Sequence, residues 1–258
     1  MIEILPIFTH SPLRNFSYLV FSNRTGEAYC IDPFDAKQIL NHSQKLGVKI
    51  KGILNTHEHG DHTQGNLELK EETKAVVYGH KDAKHKIPGM DQTLEEGDIV
   101  FSVEEESLTV WDTPGHTFSH LSFVRRNPKT ILGIFSGDTL FNAGVGNCFR
   151  GGDPNVLYET ITSRYENLPD TCLLYPGHDY WDNNLKFAEH IDPKNAFRDN
   201  YKSSLMPLQI SEMGAEKNLN PFFRRNTISV KDRLTELKET YSNDRSIFLT
   251  LRKLRDLW

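Results

Sequence analysis

The sequence predicts a layered α/β fold with two sheets, followed by a helical segment. Four short runs of apolar, β-branched or aromatic residues have the length of buried strands, at positions 50–54, 107–113, 130–135 and 171–175. Each run ends in a break that carries histidine or aspartate. From about Tyr180, apolar residues recur at spacings of four, three and four, which is typical of helices that pack on one face.

The first 80 residues are predicted to contain five strands and two helices. The strands span residues 2–7, 16–22, 27–32, 49–55 and 75–78. The helices span residues 35–46 and 63–72. Gly47 stands where a helix C-cap favours glycine. The fourth strand leads into residues 56–62, which contain three histidines and two carboxylates.

A second antiparallel set of strands is predicted after an irregular segment that reaches Gly97. These strands span residues 99–103, 107–111, 120–126 and 130–135. Asp153 and Pro154 then indicate a helix start, since aspartate caps a helix and proline suits its first position. The apolar stripe of this helix runs to Leu168. Two further helical stripes occupy residues 230–241 and 247–258.

The composition excludes several classes of partner. A chain of 258 residues can bury a full core as one domain, or as a larger domain with an appendage. The net charge of -5 gives no reason to expect nucleic acid or an anionic membrane. The N-terminus has neither the pattern of a signal peptide nor that of a membrane span. We therefore expect a cytoplasmic monomer that acts on a small molecule.

Seven residues of metal-ligand type stand at the strand ends. They are His57, His59, Asp61, His62, His116, Asp138 and His178. An extended segment would send the alternating side chains at 57, 59 and 61 to one side, and a turn at Gly60 would bring His62 to the same place. The set is sufficient for two ions with one bridging carboxylate. The alternative is a polar loop that is merely rich in histidine.

Other reactive residue types have simpler interpretations. The three cysteines are far apart, which indicates a reducing compartment and a metal site of nitrogen and oxygen ligands only. Cys148 has no evident base beside it, so a buried or incidental thiol is expected. Glu58 alternates away from its histidine neighbours and is expected to be solvated or structural. Solvated side chains are also expected at His10, His42, His80, His85, His120 and His190.

The ligand pattern resembles the signature of the metallo-β-lactamase superfamily, HxHxDH followed by distant His, Asp and His. Within it, glyoxalase II, the hydroxyacylglutathione hydrolase, has similar motifs to those at 136–141, 176–180, 183–188, 220–222 and 251–256. This resemblance implies an αββα sandwich over residues 1–178 and a helical substrate-binding domain over residues 179–258. It implies that the first metal is held by His57, His59, His116 and Asp138, and the second by Asp61, His62, His178 and Asp138.

The same resemblance implies a hydrolase of glutathione thioesters such as S-lactoylglutathione, which uses two zinc ions, or iron or manganese. Asp61 and Asp138 would support a metal-bridging hydroxide as the nucleophile. The implied glutathione contacts are Tyr180, Arg252 and Arg255. The sequence departs from the family at Asn147 and Phe149, where a Lys or Arg and a Tyr are usual. Arg150 is the candidate substitute.

Four alternatives remain at this point. The chain could hydrolyse other small thioesters, or it could be a mononuclear-iron persulfide dioxygenase of the same superfamily. The apparently complete second ligand set of Asp61, His62 and His178 argues against the dioxygenase. A non-catalytic metal-binding or interaction module is disfavoured by the retention of every ligand. A nuclease of the superfamily is disfavoured because no long basic or aromatic-interleaved segment is present.

Overall fold

The computed structural model describes residues 1–197 and 210–258, and it divides into two compact units. The first unit comprises Met1–Thr113, Ser119–Gly137 and Tyr175–His178, and the second comprises Pro114–Phe118, Asp138–Leu174 and Asp179–Trp258. The predicted domain boundary between residues 178 and 179 stays a prediction. The helical expectation for residues 198–209 lies outside the described residues.

The described residues form strands, α-helices and two short 3₁₀ helices. The strands are β1 Glu3–Phe8, β2 Phe16–Ser22, β3 Glu27–Ile31, β4 Lys49–Leu54, β5 Val76–His80, β6 Gln92–Leu94, β7 Ile99–Val103, β8 Glu106–Asp112, β9 Leu121–Arg126, β10 Ile131–Gly137, β11 Leu140–Phe141, β12 Gly144–Val145, β13 Leu173–Pro176 and β14 Ser211–Glu212. The α-helices are α1 Ala36–Leu46, α2 Gly60–Thr63, α3 Asn66–Thr73, α4 Pro154–Ser163, α5 Trp181–Ile191, α6 Met213–Leu219, α7 Ile228–Glu236 and α8 Asp244–Asp256. Short 3₁₀ helices lie at Lys81–Ala83 and Tyr165–Asn167.

The first sheet has the order β1-β2-β3-β4-β5-β6 and is covered by helices. Strands β1 to β3 pair antiparallel, whereas β3 to β6 pair parallel. Ile39 of α1 and Leu69 of α3 belong to the same buried cluster as Ile53 and Val77 of the central strands. The carboxyl ends of β3, β4 and β5 therefore meet at one edge of the sheet, where parallel strands place functional loops.

The second sheet packs against the uncovered face of the first. Within the first unit it runs from β7 through β8, β9 and β10 to Tyr175 and Pro176 of β13. The ring of Tyr18 in β2 lies 5.1 Å from that of Phe135 and 5.8 Å from that of Tyr175. The Tyr18 hydroxyl also donates to the Pro176 carbonyl at 2.6 Å. This bond fixes the end of β13 two residues before His178.

The second unit contains the hairpin β11–β12 and the helices from α4 onward. Asp153 caps α4 as predicted, since its side chain accepts from the backbone N–H groups of Asn155 and Val156. Tyr158 of α4 contacts Phe248 of α8 with ring centroids 5.5 Å apart. Strand β14 pairs antiparallel with the first residues of β13. None of the described helices is long and apolar enough to cross a membrane.

Most predicted elements are confirmed, and the exceptions have local causes. The helix predicted over 63–72 is split, because Gly65 interrupts it before α3 begins at Asn66. A Cβ at Gly65 would lie 2.7 Å from the Pro33 carbonyl oxygen, so the backbone is too close for a side chain there. The stripe assigned to α4 overruns the helix, which ends at Ser163. Strands β6 and β14 were not predicted, because each has only two or three residues.

Replacing Tyr18 with phenylalanine tests the bond that links the sheets. Tyr18→Phe should lower the free energy of unfolding by about 1–3 kcal/mol, since the buried Pro176 carbonyl loses its donor. Urea denaturation measures the change. Tyr29→Phe is the matched control, because Tyr29 also packs between the sheets against Phe101 while its hydroxyl has no hydrogen-bond partner among the described residues. Equal effects of the two substitutions would contradict this role of Tyr18.

Candidate metal centre

In the first unit, three strand ends deliver polar side chains to one place. Asp32 follows β3, His57 follows β4 and His178 follows β13. His57, His62 and His178 are all buried, with exposed fractions of 0%, 0% and 2%. Histidines this buried need fixed partners for both ring nitrogens. Their environment is therefore specified by the fold, which excludes the alternative of a solvated histidine-rich loop.

Asp61, His62 and His178 form one ligand group. The two Nε2 atoms of His62 and His178 lie 3.1 Å apart. The Asp61 Oδ2 atom lies 3.5 Å from the first of these nitrogens and 3.4 Å from the second. A tetrahedral ion with bonds of about 2.0–2.2 Å would hold its ligand atoms about 3.3–3.6 Å apart. The two distances from Asp61 lie within this range and the distance between the two nitrogens lies just below it, so the group can close around a divalent metal.

Hydrogen bonds to Nδ1 fix the ring orientations of His62 and His178. The His62 Nδ1 atom lies 2.9 Å from Asp32 Oδ2, and the His178 Nδ1 atom lies 2.8 Å from the Leu13 carbonyl oxygen. Because both partners are acceptors, each Nδ1 carries the proton and each Nε2 presents its lone pair. Asn15 donates to Asp61 Oδ2 at 2.9 Å and orients that carboxylate as well.

His57 is held by the same carboxylate through Thr56. The Thr56 hydroxyl donates to Asp32 Oδ2 at 2.6 Å, so it can accept from His57 Nδ1, which is 3.0 Å away. His57 Nε2 then faces His59 Nδ1 at 3.0 Å. This separation is shorter than that between the ligands of a tetrahedral ion, and it is close to the about 3.0 Å between neighbouring ligands of an octahedral ion with bonds of about 2.1 Å.

Within the second unit, His116 and Asp138 lie close together. His116 Nδ1 lies 2.6 Å from the carbonyl oxygen of Asn147, so Nδ1 carries the proton and Nε2 carries the lone pair. That Nε2 lies 3.4 Å from Asp138 Oδ2. Both side chains are buried. Four ligand histidines thus share one tautomer, each with Nδ1 on an oxygen acceptor.

One geometric prediction for the ligand segment is wrong. Residues 57, 59 and 61 do not alternate along a single extended segment, because helix α2 begins at Gly60 with His59 as its N-cap. Asp61 and His62 are therefore consecutive residues of one helical turn. The backbone N–H of His62 donates to the His59 carbonyl at 3.0 Å, and this turn brings both side chains to His178.

The expectation for the other histidines holds only in part. His10 and His85 are exposed, whereas His80 and His120 are buried. His120 stacks on His57 with centroids 5.1 Å apart, and its Nδ1 contacts the Thr113 hydroxyl at 2.9 Å. Neither buried histidine belongs to a metal-type group among the described residues. The expectation that they are solvated is wrong because β9 and β5 carry them into packed positions.

Glu58 is held by hydrogen bonds, and Cys148 is a poor candidate for a nucleophile. Burial favours a raised pKa for Glu58, but hydrogen bonds from Lys86 and Ser119 outweigh it and lower that pKa, so the carboxylate is ionised. Lys86 lies 2.9 Å from it as an ion pair. Burial raises the pKa of the Cys148 thiol to about 12, although the Arg252 charge acts in the opposite direction. A thiol with this pKa is a poor nucleophile at neutral pH.

Asp32 and Asn15 were missed by the sequence analysis. Asp32 is 3% exposed and accepts from the Thr56 backbone at 2.7 Å as well as from the Thr56 hydroxyl and His62. It stands at the end of a strand and directly before Pro33, which is the same kind of break that marked the ligands. That signal was present. Asn15 has no comparable sequence signal.

A cavity of about 200 Å³ adjoins His116 in the second unit. Its lining residues are Phe141, Val145, Asn147, Phe149, Tyr180, Asn184, Arg252, Arg255 and Asp256. Asn147 both lines the cavity and contacts His116 through its backbone carbonyl. Five of the six residues predicted to bind substrate line this cavity. Arg150 is the exception, because it is exposed and does not contribute to the lining.

Comparisons with known proteins agree with this arrangement. The family described as metallo-beta-lactamase superfamily matches residues 11–178, and the family described as hydroxyacylglutathione hydrolase C-terminus matches residues 179–258. The "Hydroxyacylglutathione hydrolase" of Nitrosococcus oceani is 42% identical over 98% of this chain and 98% of its own length.

Two solved structures are also similar. The crystal structure of ETHE1 from Myxococcus xanthus has a TM-score of 0.67 at 24% identity and covers 99% of both chains. That of TTHA1623 in a di-iron-bound form has a TM-score of 0.59 at 26% identity and covers 84% of this chain and 99% of that one. These similarities confirm the predicted α/β fold class with its C-terminal helical part.

Substitution of Asp32 tests whether it orients the ligands. Asp32→Asn leaves one acceptor oxygen where two are used, so His62 or Thr56 loses its partner. We expect zinc affinity to fall by about 10–100-fold. Titration of the metal-free protein in competition with a chromophoric chelator measures this affinity. Asp35→Asn is the control, because Asp35 caps α1 and asparagine caps a helix equally well. Unchanged affinity in Asp32→Asn would refute the assignment.

Proposed function

Since the chain belongs to the metallo-β-lactamase superfamily and, within it, to the hydroxyacylglutathione hydrolases, we propose that it hydrolyses glutathione thioesters such as S-lactoylglutathione in a metal-dependent reaction. The products are a hydroxy acid and glutathione. The observation that carries this proposal is similarity over the whole chain, including the C-terminal family, to relatives of that name. The buried histidine and aspartate groups fit the metal that such a hydrolase needs.

The proposed site holds two divalent ions. His57, His59 and His116 bind the first ion, Asp61, His62 and His178 bind the second, and Asp138 serves both. The common tautomer of the four oriented histidines supports this proposal, because each Nε2 then carries the lone pair that a metal requires. Zinc is the proposed metal, and the donor set of nitrogen and oxygen atoms also suits iron or manganese. The di-iron-bound form of TTHA1623 supports iron as the first alternative.

Two bound divalent ions supply an activated water at neutral pH and polarise a carbonyl oxygen. The residues of this chain set the geometry: Asn15 fixes the Asp61 carboxylate, and Asp32 holds the rings of His57 and His62. Hydrolysis forms a carbon–oxygen bond and breaks the carbon–sulfur bond of the thioester. A thiol has a reference pKa of about 8.5, so the leaving thiolate requires no general acid.

The cavity of the second unit is the proposed glutathione site. Arg255 lines it and is half-buried. The Arg255 Nε and Nη2 atoms donate to the Asn184 side chain at 3.3 and 3.0 Å. Its remaining N–H groups have no hydrogen-bond partner among the described residues, so they are available for a carboxylate. Tyr180, whose ring lies 5.1 Å from that of Phe141, supplies a hydroxyl on the same wall.

We further propose that the enzyme is a cytoplasmic monomer whose partner is this small molecule. The net charge of -5 supports the proposal, because it favours neither nucleic acid nor an anionic membrane.

A persulfide dioxygenase with one iron is the competing function. The ligand group of Asp61, His62 and His178 speaks against it, since a single-ion enzyme does not need this second set. Hydrolysis of other thioesters is the other alternative. A comparison of lactoylglutathione with the same acyl group on other thiols separates the two hydrolases. The proposal requires kcat/KM to be highest for the glutathione ester.

The number of bound metals is the first test. Wild type should bind about two ions per chain after reloading with zinc, iron or manganese. Asp138→Ala should lose both or nearly both ions, whereas Asp61→Ala should mainly lose the second. Glu58→Ala should retain both, because that carboxylate binds Lys86 and Ser119 although it lies between two ligands. Elemental analysis of folded protein measures the ratio. A maximum of one ion in wild type would disprove the two-ion site.

The second test concerns glutathione binding and uses Asn147 and Phe149, the two positions at which the sequence departs from the family pattern. Asn147→Lys with Phe149→Tyr should lower KM for lactoylglutathione by about ten-fold or more, since one charge-assisted hydrogen bond contributes about 1.5–3 kcal/mol. The value of kcat should change little, because His116 uses the backbone carbonyl of residue 147 and not its side chain. Arg150→Ala, outside the cavity, is the neutral control. No gain in the double variant, together with a preference for another thioester, would identify glutathione as the wrong thiol.

A further inference from the structure

The turn and second strand of hairpin β11–β12 are held at successive residues by side chains from the C-terminal segment. Asn184 donates to the carbonyl of Asn142 at 2.9 Å. Glu216 accepts from the backbone N–H of Ala143 at 2.8 Å. Asn220 donates to the Gly144 carbonyl at 3.1 Å. Helices α5, α6 and the residue after α6 thus determine the path of residues 142–144.

Arg252 of α8 holds the next two residues. Its Nη1 atom donates to the carbonyls of Val145 and Gly146 at 2.7 and 3.0 Å. Its Nε and Nη2 atoms contact Asp256 Oδ1 at 3.0 and 2.8 Å. Arg252 is 5% exposed, and four of its five N–H groups are used by these partners. This guanidinium therefore has little capacity left to bind a substrate carboxylate.

The held segment leads directly to a metal ligand. The carbonyl of Asn147, one residue after Gly146, lies 2.6 Å from His116 Nδ1. Gly146 packs so closely that a Cβ there would lie 1.8 Å from the Asp138 carbonyl oxygen. A shift of the Gly146 backbone would consequently disturb the acceptor of His116 and the backbone of Asp138 together.

We infer that Arg252 is a positioning residue for the metal site: by fixing the Val145 and Gly146 carbonyls it holds the Asn147 carbonyl that orients His116. The C-terminal helix α8 thereby contributes to metal affinity, in addition to lining the substrate cavity. The inference rests on the proposed function in one respect, namely that His116 is a metal ligand. It differs from the role that the resemblance implies for Arg252, which is direct contact with glutathione.

Two other residues of α8, Arg255 and Lys253, serve as controls for Arg252. Arg255 lines the same cavity and donates to the Asn184 side chain, but it contacts no hairpin carbonyl among the described residues. Its loss should raise KM and leave metal affinity unchanged. Lys253 is exposed and pairs with Glu239 at 2.9 Å. Lys253→Gln should change neither quantity.

The experiment measures zinc affinity and thioester kinetics in the full-length protein. The variants are Arg252→Gln, Arg252→Lys, Arg255→Gln and Lys253→Gln. Zinc affinity of the metal-free protein is determined by competition with a chromophoric chelator, and cobalt-loaded samples give an absorption spectrum of the coordination. We expect Arg252→Gln to lose about ten-fold or more in affinity for at least one ion. We also expect its cobalt spectrum to change and kcat to fall along with any rise in KM.

Arg252→Lys keeps the test decisive if Arg252→Gln does not fold. A lysine keeps the charge beside Asp256, but the three donors on its single nitrogen cannot reproduce the four bonds that the planar guanidinium makes to the two carbonyls and Asp256, so zinc affinity should fall here too. Wild-type zinc affinity in a folded Arg252 variant, with only KM raised, would overturn the inference and assign Arg252 to substrate binding. Failure of wild type itself to bind zinc is a distinguishable result, since it would overturn the proposed function and the inference with it.

Discussion

A histidine offers a fixed lone pair to a metal only when its other ring nitrogen keeps its proton on a fixed acceptor, and this constraint governs the structure around the ligands. Asp32 satisfies it for two rings. It accepts from His62 directly and from His57 through the Thr56 hydroxyl. The backbone N–H of Thr56 also donates to this carboxylate, which ties the end of β4 to the end of β3. One buried side chain thus sets two tautomers and the start of the ligand segment.

His178 and His116 are oriented by backbone carbonyls instead of a side chain. Their tautomers therefore depend on the conformation of the loops that carry these carbonyls. His178 uses the carbonyl of Leu13, in the loop between β1 and β2, and a bridge between Asn15 and His178 keeps that loop in place. His116 uses the carbonyl of Asn147, which lies just after the hairpin. A carbonyl is a precise acceptor only if its peptide cannot rotate. Side chains that hold the neighbouring peptides therefore act on the ligand from a distance.

Local sequence was enough to predict features that depend on neighbouring residues. Strand β2 has the predicted bounds, and α1 ends at the predicted glycine, Gly47. The ligand types were equally visible because each follows a strand. The missed features depend on contacts distant in sequence: Asp32 acts on a histidine 30 residues away, and Arg252 acts on a carbonyl 106 residues away. Pattern and spacing carry no information about such partners. The helical turn at Asp61 was missed because Gly60 is compatible with both a helix start and a bend.

The burial of Arg252 also argues for a positional role. Burial lowers the pKa of its guanidinium, although the Asp256 charge opposes this effect, so the ion loses hydration when the chain folds. Replacing a buried ion pair with apolar side chains of similar volume often leaves a protein equally stable or more stable. Stability alone is thus a weak reason to place an arginine there. Its planar guanidinium, however, bonds two adjacent carbonyls through Nη1 while Nε and Nη2 hold Asp256, and neither an apolar residue nor the three donors of a lysine can reproduce these four bonds. A buried arginine at α8 is therefore explained by the backbone that it holds in place, directly before the Asn147 carbonyl that orients His116.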